Sequence, residues 1–98
     1  MTILEFLEAR IAEDEAEANA MLDSFLRGGE VSKRRWVRVL AECAAKRVII
    51  ELADQVETMD YQITNEWGGD LDGTGDDILK ALSAVYKDHS DYQQEWAL

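Results

Sequence analysis

The stretch that decides the fold is Arg38-Val-Leu-Ala-Glu-Cys-Ala-Ala-Lys-Arg-Val-Ile-Ile-Glu-Leu52, which contains neither glycine nor proline. Residue types that favour helices make up most of it. Ser32 is suited to cap a helix that starts at the next residue, so we predict a second helix over residues 33–63. The core stripe predicted for this helix consists of Val37, Leu40, Ala41, Ala44, Val48, Leu52, Val56, Met59 and Ile63.

A first helix is predicted upstream of this stretch, over residues 3–27. Thr2-Ile-Leu-Glu5 has the spacing of a capping box, in which the hydroxyl and the carboxylate satisfy the first free amides. Gly28-Gly29 then supplies a glycine that can take the left-handed backbone conformation and end the helix. The predicted core face of the first helix consists of Leu4, Leu7, Ile11, Ala18, Leu22 and Phe25. Two apolar stripes joined by a short connection favour an antiparallel helical hairpin.

The rest of the chain is predicted to add a short third helix and a packed tail. Four glycines remove helix and strand propensity from residues 66–75, which we predict to be a flexible Gly/Asp loop. A third helix is predicted over residues 76–87. Tyr92 and Trp96 are four residues apart, so a last helical turn can press both rings onto the hairpin. The sequence therefore predicts an all-α fold in a single domain, residues 1–98.

The composition argues against several classes of function. With 21 acidic and 10 basic residues, and a net charge of −11, the chain lacks the basic surface that nucleic-acid phosphates require. Direct nucleic-acid binding is therefore not expected. No stretch approaches the roughly 20 apolar residues of a membrane span, and the N-terminus lacks the pattern of a signal peptide. We expect a protein of a bacterial host's cytoplasm, without membrane contact.

The sequence offers little for catalysis. It has no nucleophile elbow, phosphate-binding loop, dinucleotide-binding fingerprint or zinc-ligand spacing. Cys43, the single cysteine, is expected to be a small buried apolar side chain. His89, the single histidine, is expected to end the third helix, although Asp88 and Asp91 leave an acid–base pair or a carboxylate-rich metal site as alternatives. We predict that the protein is not an enzyme and uses no cofactor or metal.

The Gly/Asp loop leaves one cation-binding alternative open. Counted from Asp70, oxygen-bearing side chains occupy positions one, three and five of a calcium loop, and glycine occupies the turn position. Position twelve is Ala81, where a calcium loop has the glutamate that supplies two oxygens. We predict a flexible acidic loop, with weak cation binding as the alternative.

A basic cluster opens the second helix and consists of Lys33, Arg34, Arg35, Trp36 and Arg38. Positive charge at a helix N-terminus opposes the macrodipole, so acids or a partner must offset it. One hypothesis is neutralisation within the fold, by Asp23, Glu30 or the Gly/Asp loop. The other is a docking patch for a protein partner, in which the arginines and the tryptophan are interface anchors.

Two stretches carry a family resemblance. Residues 38–52 and the ending Tyr86-Lys-Asp-His-Ser-Asp-Tyr-Gln-Gln-Glu-Trp96 resemble the central helix and the C-terminal signature of an uncharacterised family of short proteins from actinobacteria and their phages. The opening Leu4-Glu-Phe-Leu-Glu-Ala-Arg-Ile-Ala-Glu-Asp-Glu15 is similar to the first helix of that family. Ser90 stands where the family usually has proline. The resemblance implies an actinobacterial or phage origin and brings no activity or site residue with it.

Two functional hypotheses follow from the sequence. The first is a non-enzymatic accessory protein that binds a host or self partner through the hairpin, with a homodimer as one form of it because a hairpin can leave an apolar stripe exposed. The second is an acidic inhibitor that imitates nucleic acid and occupies a DNA-binding or defence protein. Mimicry requires acids to lie along one face, and the candidates are Glu13, Asp14, Glu15, Glu17 and those of residues 70–77.

Overall fold

The computed structural model describes residues 1–26, 28, 32–67 and 73–98, and for residues 60–67 it describes the backbone alone. The predicted all-α fold is confirmed, and no strand occurs in these ranges. The elements are α1 (Ile3–Leu26), α2 (Lys33–Trp67) and α3 (Thr74–Ser83), followed by 3₁₀ turns at Ala84–Tyr86 and Gln94–Trp96. α1 and α2 form the antiparallel hairpin, and α3 packs on both of them.

The ends of α1 have the local interactions that its sequence predicts. The Thr2 amide donates to Glu5 Oε1 at 2.9 Å, and the Glu5 amide donates to Thr2 Oγ1 at 3.1 Å, which completes the capping box. The hydrogen bond from the Thr2 amide lowers the pKa of the Glu5 carboxyl. Gly28 follows the last turn with a φ of 85°, and its amide donates to the Phe25 carbonyl at 3.0 Å. A left-handed residue therefore ends the helix, as the glycine pair indicates.

The face of α2 that is buried differs from the predicted stripe. Among residues 33–59 of this helix, Cys43 and Ala53 are fully buried, and the Cys43 thiol lies 3.9 Å from the Ile11 carbonyl oxygen of α1. The predicted core residues that are instead exposed are Val37, Ala41, Ala44, Val48, Leu52 and Met59. The prediction is wrong because α2 carries apolar residues on two opposite faces, and α1 and α3 cover the face that contains Cys43, Ile50 and Ala53. Ile63 lies outside the described side chains.

The predicted core of α1 is confirmed at its centre and wrong at its ends. Leu7, Ile11 and Ala18 are fully buried, whereas Leu4 and Phe25 are 40% and 37% exposed. The Phe25 ring lies at the hairpin tip, 5.8 Å from the Lys33 ammonium group. At the first turn Ile3 and Phe6 pack in the core, so Leu4 lies on the side of α1 that the core does not cover.

α2 begins at Lys33 as predicted but ends later, and α3 differs from its predicted bounds at both ends. α2 continues past residue 63 to Trp67, and α3 spans Thr74–Ser83 in place of 76–87, with a 3₁₀ turn after it. Residues 68–72, which include positions one and three of the possible calcium loop, lie outside the described residues. The first turn of α3 crosses α2 closely, since a Cβ atom on Gly75 would lie 2.5 Å from the Ala53 carbonyl oxygen. This approach fixes the position of α3 on the hairpin.

The tail closes the core around one aromatic ring, that of Phe6. Phe6 is fully buried, and its ring centroid lies 5.0 Å from that of Trp96 and 6.2 Å from that of Tyr92. The two tail rings also meet each other at 5.7 Å, nearly perpendicular. Both rings therefore pack onto the hairpin as predicted, but the last turn, Gln94–Trp96, contains only Trp96, and Tyr92 lies before it.

Candidate functional site

The basic cluster lies at the tip of the hairpin, where α2 begins. The Ser32 hydroxyl accepts the Arg35 amide at 3.4 Å, so the predicted N-cap residue holds the first turn. The four cations are exposed and Trp36 is half-buried. Arg34 and Arg38, four residues apart, share one side of the helix, whereas Lys33 and Arg35 point to other sides, because successive residues of an α-helix are about 100° apart. The cluster is therefore several small surfaces around one helix end.

The charges of the cluster are offset only in part by the described residues. Arg38 Nε pairs with Glu42 Oε1 at 3.2 Å on the same helix, and both side chains are exposed. The Arg35 guanidinium lies 5.1 Å from the centroid of the Trp36 ring, a cation–π contact. Two of the acids named for internal neutralisation, Glu30 and Asp70, lie outside the described residues. The exposed Arg38–Glu42 pair itself contributes little to stability.

A shallow groove of about 230 Å³ starts at the Arg35–Trp36 pair and follows the seam between α1 and α2. Its lining combines one aromatic ring and small apolar groups with charges of both signs: Asp14, Glu17, Arg35, Trp36, Val39, Glu42, Cys43 and Lys46. We call this the tip groove. Its mixture of an aromatic anchor with charged rims suits a partner side chain that has an apolar stem and a polar end. The sequence indicated the α2 half of this surface but gave no signal that Asp14 and Glu17 lie opposite it.

A polar network closes the far end of the tip groove. The Tyr86 hydroxyl donates to Asp14 Oδ2 at 2.8 Å and accepts a hydrogen bond from Lys46 Nζ at 2.9 Å. The Lys46 ammonium also lies 4.8 Å from the Tyr86 ring centroid. Burial, followed by the hydrogen bond to Asp14, raises the pKa of the Tyr86 phenol well above its ordinary value of 10.0. The network joins α1, α2 and the first 3₁₀ turn at one point.

Replacing Tyr86 with phenylalanine is expected to lower the free energy of unfolding by about 1–2 kcal/mol at neutral pH, because Asp14 and Lys46 each lose a hydrogen-bond partner. The raised pKa also predicts a pH dependence. The neutral phenol stabilises the fold fully below its unfolded-state pKa, near 10, and this contribution is lost as the pH rises towards the folded-state value. Urea unfolding between neutral pH and about pH 11 should show a shallower alkaline loss for the variant than for the wild type. Equal slopes would contradict the network.

A second network fixes the tail through Arg10, which is 92% buried although it is charged. Its guanidinium contacts the His89 ring, lies 5.5 Å from the Phe6 ring centroid and pairs with Glu13 at 3.0 Å. His89 Nδ1 also accepts the Asp91 amide at 3.0 Å. Arg10 Nε is buried without a hydrogen-bond partner in the described part of the chain. His89 thus docks the tail onto α1, and it lies after the 3₁₀ turn, beyond the end of α3.

Cys43 and the possible metal ligands were the other residues that the sequence offered for chemistry. Cys43 is buried, as predicted, and burial raises the pKa of its thiol. Within residues 1–26, 28, 32–59 and 73–98, no three histidine, cysteine, aspartate or glutamate side chains converge as a metal site would require. In the same part of the chain, no helix is long and apolar enough to cross a membrane.

The residues of the C-terminal stretch therefore act together in holding the tail to the hairpin: Tyr86, His89, Asp91, Tyr92 and Trp96. A family model described as a family of unknown function, DUF6221, matches residues 1–98. The chain belongs to DUF6221. For this DUF6221 protein, no curated protein and no solved structure gives a match. Membership establishes an uncharacterised family, which agrees with that part of the resemblance.

Proposed function

We propose that this DUF6221 protein is a non-enzymatic accessory protein that binds a protein partner at the hairpin tip. The site consists of the basic cluster together with the tip groove. The observation that carries the proposal is the Arg35–Trp36 pair, stacked at 5.1 Å at the mouth of a groove of mixed charge. Arginine and tryptophan are the residue types that most often anchor protein interfaces.

The position of the pair favours a protein partner. Trp36 is half-buried and lines the groove, so part of its side chain is accessible to a partner. Glu17 and Glu42 flank the cations, and this mixture of signs would repel a phosphate backbone while allowing paired contacts with a protein. We extend the proposal to an actinobacterial or phage source, on the family resemblance, and to action in the bacterial cytoplasm.

The alternative of nucleic-acid mimicry receives less support from the geometry of α1. Of the acids that mimicry requires, Glu13 pairs with Arg10, Asp14 accepts from Tyr86, and Glu15 is bound by Arg47 through Nε at 3.1 Å. The Arg47 hydrogen bonds lower the pKa of the Glu15 carboxyl. Carboxylates that are paired within the fold present a weaker negative field than phosphates do. The interaction hypothesis is therefore the one we retain.

The proposal is tested by affinity capture from an actinobacterial lysate, with the captured protein identified and then purified. The double variant Arg35→Ser/Trp36→Ala removes the pair, and we expect it to weaken binding of the purified partner at least about tenfold, since truncating an anchor costs over about 1 kcal/mol. Circular dichroism should show that the variant keeps its helix content.

The matched control is Lys87→Ser/Val85→Ala, which removes one exposed cation and one exposed apolar side chain from the 3₁₀ region, away from the tip. It should bind as the wild type does. Equal binding by the tip variant and the wild type would refute the proposed site, whereas an equal loss in both variants would show that the binding is non-specific.

A further inference from the structure

The outward face of α2 carries a heptad pattern that no element of the described chain covers. Positions alternating by four and three residues hold Ala41, Ala45, Val48, Leu52, Gln55 and Met59. Val48, Leu52 and Met59 are 52%, 49% and 58% exposed. This spacing is that of the a and d positions through which two helices pack side by side. We call these six residues the outer seam.

The charge along α2 is divided between its two halves. Residues 33–47 contain six basic residues and one acidic residue, and residues 48–67 contain five acidic residues and no basic one. In the described part of the chain, the carboxylates of Glu51, Asp54 and Glu57 form no ion pair. The helix therefore has net charges of +5 and −5 in its two halves, and carboxylates of the acidic half are available to pair with cations of a partner.

We infer that the outer seam is the interface of an antiparallel homodimer, in which α2 pairs with α2 of a second copy. Only the antiparallel direction places the basic half of each helix beside the acidic half of the other. A parallel pair would place like charges together along the whole helix. Charge complementarity thus points to a second copy as the occupant.

The outer seam has a register that suits this direction. In antiparallel pairs an a residue packs against a d residue of the other helix. In the register we propose, each residue of one α2 faces the residue of the other α2 whose number brings the sum to 100. Leu52 then packs against Val48 of the second copy, and Met59 packs against Ala41 of the second copy. Each large side chain then meets a smaller one, which allows close packing without voids. The Arg35–Trp36 pair and the tip groove remain outside this interface.

The first test is sedimentation of the full chain at tens of micromolar. The expected species has twice the monomer mass of 11.1 kDa. Leu52→Glu should weaken self-association at least about 100-fold, because each dimer then buries two carboxylates in place of two apolar side chains. Val85→Glu changes an apolar side chain on another surface, 63% exposed where Leu52 is 49% exposed, and should leave the dimer intact. A wild-type monomer, or a Leu52→Glu dimer as stable as the wild type, would overturn the inference.

The second test distinguishes the direction of the helices by disulfide cross-linking in a Cys43→Ala background. Ala41→Cys and Met59→Cys chains should cross-link with each other when mixed, because the antiparallel register places these positions in one layer. Neither chain should cross-link with itself, since its two cysteines would be about 27 Å apart along the helix, at about 1.5 Å per residue. Self-cross-linking of each chain would show a parallel dimer and contradict the charge argument. Loss of the dimer in Leu52→Glu should leave partner capture at the tip intact, so the two proposals fail separately.

Discussion

Replacing Phe6 with alanine is expected to lower the free energy of unfolding by about 3–5 kcal/mol, the range for large aromatic truncations in a core. Four rings meet Phe6 directly, with centroids between 5.0 and 6.2 Å away: Tyr86, His89, Tyr92 and Trp96. The variant leaves a cavity among rings that are too rigid to fill it. Because a domain of this size is stable by only about 5–15 kcal/mol, the variant should be close to unfolding. Urea or thermal unfolding followed by circular dichroism measures the loss.

The matched control for this prediction is Phe25→Ala at the hairpin tip. Phe25 is 37% exposed and Phe6 is fully buried, so the same truncation should cost less than about half as much at position 25. The tail should also respond differently, since the tryptophan fluorescence of Trp96 should change only in the Phe6 variant. Equal losses at the two positions would show that the tail does not close the core around Phe6.

Replacing Gly75 with alanine is expected to destabilise the protein by about 1–3 kcal/mol, the usual effect of overpacking. Helix propensity alone predicts the opposite sign, because alanine is favoured over glycine within helices by about 1 kcal/mol. The added methyl group would overlap the Glu57 side chain and approach the Ala53 carbonyl oxygen to 2.5 Å. A carbonyl oxygen within a helix cannot move aside as a side chain can, so α3 must shift away from α2.

The double variant Gly75→Ala/Glu57→Ala distinguishes the two overlaps. It removes the overlapping Cγ atom of Glu57 but keeps the Ala53 carbonyl oxygen, so it should recover only part of the lost stability. A melting temperature for Gly75→Ala at or above that of the wild type would show that α3 can relax and that the close crossing is not required. Full recovery in the double variant would assign the effect to the side chain alone.

The elements that depend on neighbouring residues were predictable from the sequence. The capping box at Thr2, the cap at Ser32 and the stop at Gly28 each act within four residues of themselves, and each is present. The tail was predictable for a similar reason, because Tyr92 and Trp96 are the large rings of a polar segment and must be buried together. Local signals of this kind need no knowledge of the rest of the fold.

The buried face of α2 was not predictable because the helix has two apolar stripes, and either stripe could face the core. The stripe with Val48 and Leu52 is more apolar than the one with Cys43 and Ala53, and periodicity selects the more apolar stripe. The structure selects the other, because Gly75 can approach Ala53 closely and Lys46 can reach Tyr86. The more apolar stripe is left outside, where we propose that a second copy covers it.

The candidate site was predictable on one helix and hidden on the others. The concentration of charge from Lys33 to Arg38 identified the α2 half of the hairpin tip. Asp14 lies 72 residues from Tyr86 and Arg10 lies 79 residues from His89, and no sequence pattern pairs residues so far apart. The burial of Arg10 also runs against the rule that charged side chains stay exposed.

The central claim is that a protein partner binds at the hairpin tip, and the most direct measurement is an NMR titration of the ¹⁵N-labelled chain with the captured partner. Each of the three tryptophans gives an indole N–H signal that reports on its own surroundings. We predict that the Trp36 indole signal and the amides of residues 33–39 shift on binding, while the signal of the Trp96 indole, which the tail buries against Phe6, stays in place. An unchanged Trp36 signal at saturation would contradict the proposed site.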